Sequence, residues 1–118
     1  MRQLFFAILM MLPIATNAQN VMTGNEIQQR CVEGHELELY CVGYIEGLVT
    51  VMLFTNISGN FSLFYGGRQT KEFCMPTGVT AGQRRDTILK WLQDHPEDRH
   101  NASAWLVYRA LYDAFPCT

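Results

Sequence analysis

The stretch Glu36–Phe54, ELELYCVGYIEGLVTVMLF, decides the fold of this chain. Leu37, Tyr40, Cys41, Tyr44, Ile45, Leu48, Val49 and Met52 recur at i, i+3, i+4 and i+7, the spacing of one helix face. Glu36, Glu38 and Glu46 fall mostly off that stripe. Gly43 and Gly47 lie four apart on another face, where each costs about 1 kcal/mol against alanine. Two such glycines predict that another element packs very close to them. The GxxxG spacing is also that of paired membrane helices, but Glu46 inside the pattern argues against a span. The stretch reads as a buried helix of a soluble helical bundle.

Upstream, residues 1–18 have the pattern of a cleaved signal peptide. Arg2 is the basic start, Leu4 to Leu12 the apolar run, Pro13 its break, and Thr16 and Ala18 the small residues before cleavage. That run is shorter than the roughly 20 residues needed to span a bilayer. A lipoprotein signal needs a cysteine at the cleavage site, and the nearest is Cys31. The expected mature chain, 19–118, is exported, soluble and one domain long. Loss of Arg2 takes the net charge from −2 to −3. Arg84-Arg85 is the one adjacent basic pair, so nucleic-acid binding has no electrostatic footprint.

Cys31, Cys41, Cys74 and Cys117 form an even set in a small exported chain, which predicts two disulfides. Three pairings are open. Cys31–Cys41 and Cys74–Cys117 are preferred, because a helical hairpin brings Cys31 beside the helix that carries Cys41. The second bridge would tie the start of the third helix to the end of the last. Without a CxxC or a close Cys/His quartet, zinc is a poor reading. A set that can all be paired argues against a catalytic cysteine.

Along the chain, Thr23–Val32 predicts a short helix, capped by Thr23 or Asn25, with Glu26 favoured by the helix dipole and Gly34 as its stop. Asn56, Ser58, Gly59 and Asn60 are expected to stop the central helix. Thr55–Cys74 reads as one long irregular loop with strand character, in which Phe61, Phe64 and Tyr65 cover the core. Thr80 and Gln83 have capping-box spacing for a third helix with the stripe Ile88, Trp91, Leu92. Pro96 ends it at or before His95. A charged turn, Asp94–His100, leads into a last helix over 101–114. The fold class is all-α, a small four-helix domain.

Catalytic chemistry finds little to stand on. Glu97 and His100 are spaced as E-x-x-H, but a di-iron site needs two such motifs and two more glutamates. Ser58, Ser62 and Ser103 lie in no nucleophile elbow, and there is no phosphate loop or HExxH. No cofactor or metal is expected. Asn56, Asn60 and Asn101 begin N-x-S sequons, informative only in a eukaryotic host. A stapled exported domain without catalytic residues works by binding. Two stretches are candidate contacts: the turn, with Asp94, His95, Glu97, Asp98 and Arg99, and the loop Ser58–Glu72. For the turn, a solvated helix connection is an equal reading.

Several blocks resemble the Rap/Tai family of immunity proteins. They are Cys31; Cys41-Val42-Gly43-Tyr44-Ile45 with Gly47; Phe73-Cys74-Met75-Pro76; Gly78-Val79-Thr80-Ala81-Gly82-Gln83; Trp91-Leu92; His95-Pro96-Glu97 with His100; and Ala110-Leu111 with Ala114-Phe115-Pro116-Cys117. The resemblance implies a periplasmic α-helical protein that tends to form homodimers. It implies protection against a type VI secretion effector, a peptidoglycan amidase, by occluding its cleft. The loop at 58–72 departs from the family pattern. A different class remains beside it, a periplasmic helper such as a small acid-stress chaperone with no effector target. Retention of near-ultraviolet signal near pH 2 without dye binding would count against that class.

Overall fold

The computed structural model describes residues 21–32, 35–58 and 73–118. Four α-helices are described: α1 (Gly24–Val32), α2 (His35–Ser58), α3 (Ala81–Asp94) and α4 (Ser103–Ala114). A single 3-10 turn, Pro96–Asp98, joins α3 to α4. The described residues hold no strand, only isolated bridges at Thr23–Ala102 and Phe73–Pro116. Residues 1–18, read as a signal peptide, and positions 59–72 of the loop expected over Thr55–Cys74 lie outside the described residues.

The helices form for the reasons their sequences state. At α1 it is Thr23, not Asn25, that caps: Glu26 N donates to Thr23 Oγ1 at 3.4 Å while Thr23 N donates to Glu26 Oε2 at 2.7 Å. The backbone bond from Thr23 comes first in holding the Glu26 carboxyl below its ordinary range, followed by the Thr23 hydroxyl. At α3, Thr80 is the N-cap, and its hydroxyl accepts from Gln83 N at 3.1 Å. Ahead of it, Gly78 has φ 95°, a left-handed conformation that favours glycine. Two boundaries differ from expectation. α2 continues through Asn56 to Ser58, since one asparagine does not stop a helix of this length. α4 begins at Ser103, because Asn101 spends its side chain on the preceding turn, donating to Asp98 O at 3.0 Å.

The core is one cluster. Cys41, Ile45, Val49 and Met52 of α2 meet Ile88, Trp91 and Leu92 of α3, Leu106, Val107 and Leu111 of α4, and Ile27 of α1. These α2 residues belong to the expected stripe, whereas Tyr40, placed on it too, is 47 % exposed. The disulfides are Cys31–Cys41, with Cα atoms 5.2 Å apart, and Cys74–Cys117, at 4.9 Å. Beside the second, Cys74 N donates to Phe115 O at 2.8 Å.

Polar contacts fix how α2 sits. Arg84 grips Glu46 with two bonds, one from Nε at 2.7 Å, and its Nη1 reaches Val79 O at 2.7 Å. Hydrogen bonding to Glu46 is the main reason the Arg84 guanidinium is held above its ordinary value. Arg85 reaches Glu38. The Tyr44 hydroxyl shares a hydrogen bond with the fully buried Ser103 Oγ. One expectation fails. A Cβ at Gly43 or Gly47 would meet nothing within 4 Å. The close approach falls instead at Gly24, where a Cβ would come within 2.4 Å of Leu106 Cδ1 and 3.1 Å of Arg99 O.

Candidate partner-binding surface

The charged turn is built by the way α3 ends. A residue before proline is pushed out of the helical region, and His95 sits at φ −125°, ψ 61°. Its backbone N and its Nδ1 both donate to Trp91 O, at 3.0 and 2.8 Å. The imidazole lies flat on the Trp91 indole, ring centres 4.0 Å apart. Four residues on from His95, Arg99 folds back. Its Nε donates to Leu92 O at 2.6 Å and its Nη2 to Gln93 O at 3.3 Å, so a cation closes the negative end of α3.

The turn also receives α1. Gly24 N donates to Asn101 O at 3.2 Å, and Asn25 N to Arg99 O at 3.0 Å. Two amides of the α1 start thus find partners in turn carbonyls. Absence of a side chain at Gly24 allows that contact.

The five predicted contact residues separate into two kinds. His95 and Arg99 use their polar atoms to hold the turn. Asp98 is half-buried, with its carbonyl accepting from Asn101 N at 2.9 Å. Asp94 and Glu97 are exposed. Asp94 pairs one turn back with Lys90 at 2.9 Å, both side chains largely in water, a contact worth a few tenths of a kcal/mol (~0.3–0.5). The second predicted contact, Ser58–Glu72, lies almost wholly outside the described residues.

Next to the turn, α3 and α4 leave an open groove of about 380 Å³, with Trp91 and Ala110 in its lining and Lys90, Asp94 and Asp113 around it. Trp91 Nε1 donates to Asp113 Oδ2 at 2.8 Å. The Arg109 guanidinium lies 6.0 Å from the Trp91 ring centre and 5.9 Å from that of Trp105. The sequence reading placed Trp91 in the core stripe and left Arg109 and Asp113 aside. Their signal was the i, i+4 series Trp105, Arg109, Asp113 along one edge of α4. Trp91 is 7 % exposed and belongs to the core, while Arg109 is half-buried over its ring at the rim of the groove.

Among the described residues, no three His, Cys, Asp or Glu side chains are grouped to hold a metal ion. No described helix is long and apolar enough to cross a membrane. The arrangement offers a rigid acidic projection beside an aromatic groove, which suits recognition of a protein surface. No curated protein and no solved structure matches the chain. A family model does: that of Rap1a immunity proteins, over residues 23–117.

Proposed function

The chain belongs to the Rap1a immunity protein family, and from that premise we propose that it acts in the periplasm as a homodimer that binds and occludes a type VI secretion peptidoglycan amidase. Membership carries the coarser role, immunity against a secreted effector by a family that is generally non-enzymatic. Residues 1–18, read as a signal peptide, support the compartment.

The observation that carries the mechanism is the pre-ordered turn. His95, Arg99 and Asn101 hold its backbone from three sides. Little ordering entropy is then lost when a partner closes over it. Asp94 and Glu97 face solvent at its rim. Exposed acids on a rigid projection steer association toward a basic cleft edge and make the on-rate fall with salt. Arg109, half-buried beside the turn, supplies area that becomes dry on contact.

The test is capture. Purified protein, kept oxidised, serves as bait against lysates expressing candidate amidase effectors. The expected result is retention of one amidase, with retention reduced by charge reversal at Asp94 and Glu97 together. Capture of no amidase by a correctly folded bait refutes the reading.

A further inference from the structure

The described arginines differ in what they hold. Arg84 is bonded to Glu46 and to Val79 O, Arg85 to Glu38 and Asp86, and Arg99 to Leu92 O and Gln93 O. All of these are half-buried, and each has the acceptor that a partly buried charge needs. Arg30 rests on the Tyr40 ring alone, but it is exposed and water serves it. Arg109 breaks the pattern. It is half-buried, its guanidinium meets only the rings of Trp91 and Trp105, and no hydrogen bond or ion pair reaches it from any described residue. Asp113 stands at the i+4 position, where a pair could form, yet its Oδ2 accepts from Trp91 Nε1 at 2.8 Å.

We propose that Arg109 is the receptor for one carboxylate, an aspartate or glutamate side chain of the effector. The source of that carboxylate rests on the immunity reading above, while the site is argued from Arg109 and its two rings. A guanidinium carries its N–H donors in a planar fork that matches a carboxylate two bonds at a time. Among the described residues, none of these donors is matched. Its nitrogens stay open to solvent, since no buried side-chain nitrogen among the described residues lacks a partner. Contacts to two rings hold the cation in place, so less freedom is lost when an acceptor arrives. A multiply charged anion is disfavoured, because Asp94 and Asp113 line the adjoining groove against the single cation of Lys90. One carboxylate is the charge that suits.

Position gives the contact its use. The Trp91 ring carries the His95 imidazole at 4.0 Å and the Arg109 guanidinium at 6.0 Å. Arg109 thus lies one ring away from the acidic turn. Asp94 and Glu97 attract any basic rim, and attraction of that kind steers more than it selects. A cation beside them demands the opposite sign at one place on the partner. An effector with a basic residue there would leave two like charges facing each other. Arg109 therefore discriminates among effectors that the turn alone would accept.

Intrinsic fluorescence tests this directly, because the chain has two tryptophans and both are the rings beside Arg109. N-acetyl-glutamate α-amide and N-acetyl-glutamine α-amide, alike except for the carboxylate, are titrated at fixed ionic strength into the purified, oxidised protein. The expected result is a saturable change with the acid alone, at a Kd of about 10 mM. Arg109→Gln should abolish it. Arg109→Lys, which keeps the charge beside the rings but loses the fork, should weaken it at least about 5-fold. An equal response to both probes, or a lysine variant that binds the acid as tightly as the parent, overturns the proposal. Circular dichroism checks that the helices persist, and Arg109→Lys, the milder change, carries the test should Arg109→Gln unfold. The probes need no effector, so failure to capture an amidase and failure of this site are told apart. Against a captured amidase, Arg109→Lys should raise Kd at least about 10-fold with the salt dependence of association retained. An unchanged Kd there also overturns the proposal.

Discussion

Replacing Gly24 by alanine should destabilise the protein, whereas the same change at Gly47 should stabilise the single chain. At Gly24 the new methyl would lie 2.4 Å from Leu106 Cδ1, 3.1 Å from Leu92 Cδ2 and 3.1 Å from Arg99 O. Favourable carbon contacts lie near 3.5–4.0 Å, so the Leu106 methyl must withdraw by more than 1 Å. Leu106 is 2 % exposed and Leu92 1 %, which leaves them nowhere to go without shifting α4. Overpacking of this kind costs about 1–3 kcal/mol. Against it stands the helix preference for alanine, worth less than about 1 kcal/mol at the first helical position. The net is a loss of about 1–2 kcal/mol, or roughly 4–16 °C in Tm for a domain of this size. Gly47→Ala meets nothing within 4 Å and should gain about 0.5–1 kcal/mol, measured at a dilution where the chain is monomeric. Thermal melts by circular dichroism, disulfides intact, measure both. A Gly24→Ala protein melting at or above the parent would refute the account of how α1 docks on the turn.

Other consequences can be checked in the same way. Thr23→Ala should cost about 1 kcal/mol through the lost cap. The Glu26 carboxyl is held low mainly by its bond from the Thr23 backbone, so its contribution is present above the ordinary value of 4.5 and disappears as pH falls through the lowered folded value. The melting difference between the parent and Glu26→Gln should therefore be full at pH 7 and shrink in acid, whereas a difference that grows in acid would contradict it. Tyr44→Phe takes from the fully buried Ser103 hydroxyl its bond to the Tyr44 oxygen and should cost about 1–3 kcal/mol, while Ser103→Ala added to it should cost less than the sum. Removing Cys74–Cys117, which spans 43 residues, should cost about 4 kcal/mol, against about 3 kcal/mol for Cys31–Cys41, which spans 10, by loop-closure entropy. Urea unfolding of paired Cys→Ser variants gives the order.

What was legible in the sequence was local. Thr80 and Gln83 announced a helix start, His95-Pro96 a helix end, and the recurrence of Ile45, Val49 and Met52 a buried face. Both disulfides followed from a hairpin argument that needed only the helix order. Contacts distant in the chain were not legible. Glu46 and Arg84 stood off their stripes as ordinary surface charges, and nothing in either neighbourhood states that they meet. The glycines show the limit most plainly. Spacing singled out Gly43 and Gly47 for close packing within the chain, yet the crowded glycine is Gly24, chosen by the arrival of α1 on a turn 75 residues away at Arg99. The turn itself was found by its charge. Charge alone could not separate Asp94 and Glu97, which face water, from Arg99, which closes α3 from beneath.

The most direct test of the account is titration of a captured amidase effector with this protein while peptidoglycan cleavage is followed. The account predicts that cleavage falls linearly and stops at one chain per effector, with an association rate that drops as salt rises. Cleavage that continues at molar excess of a folded, oxidised protein would contradict it, and would place the periplasmic helper ahead of the immunity reading.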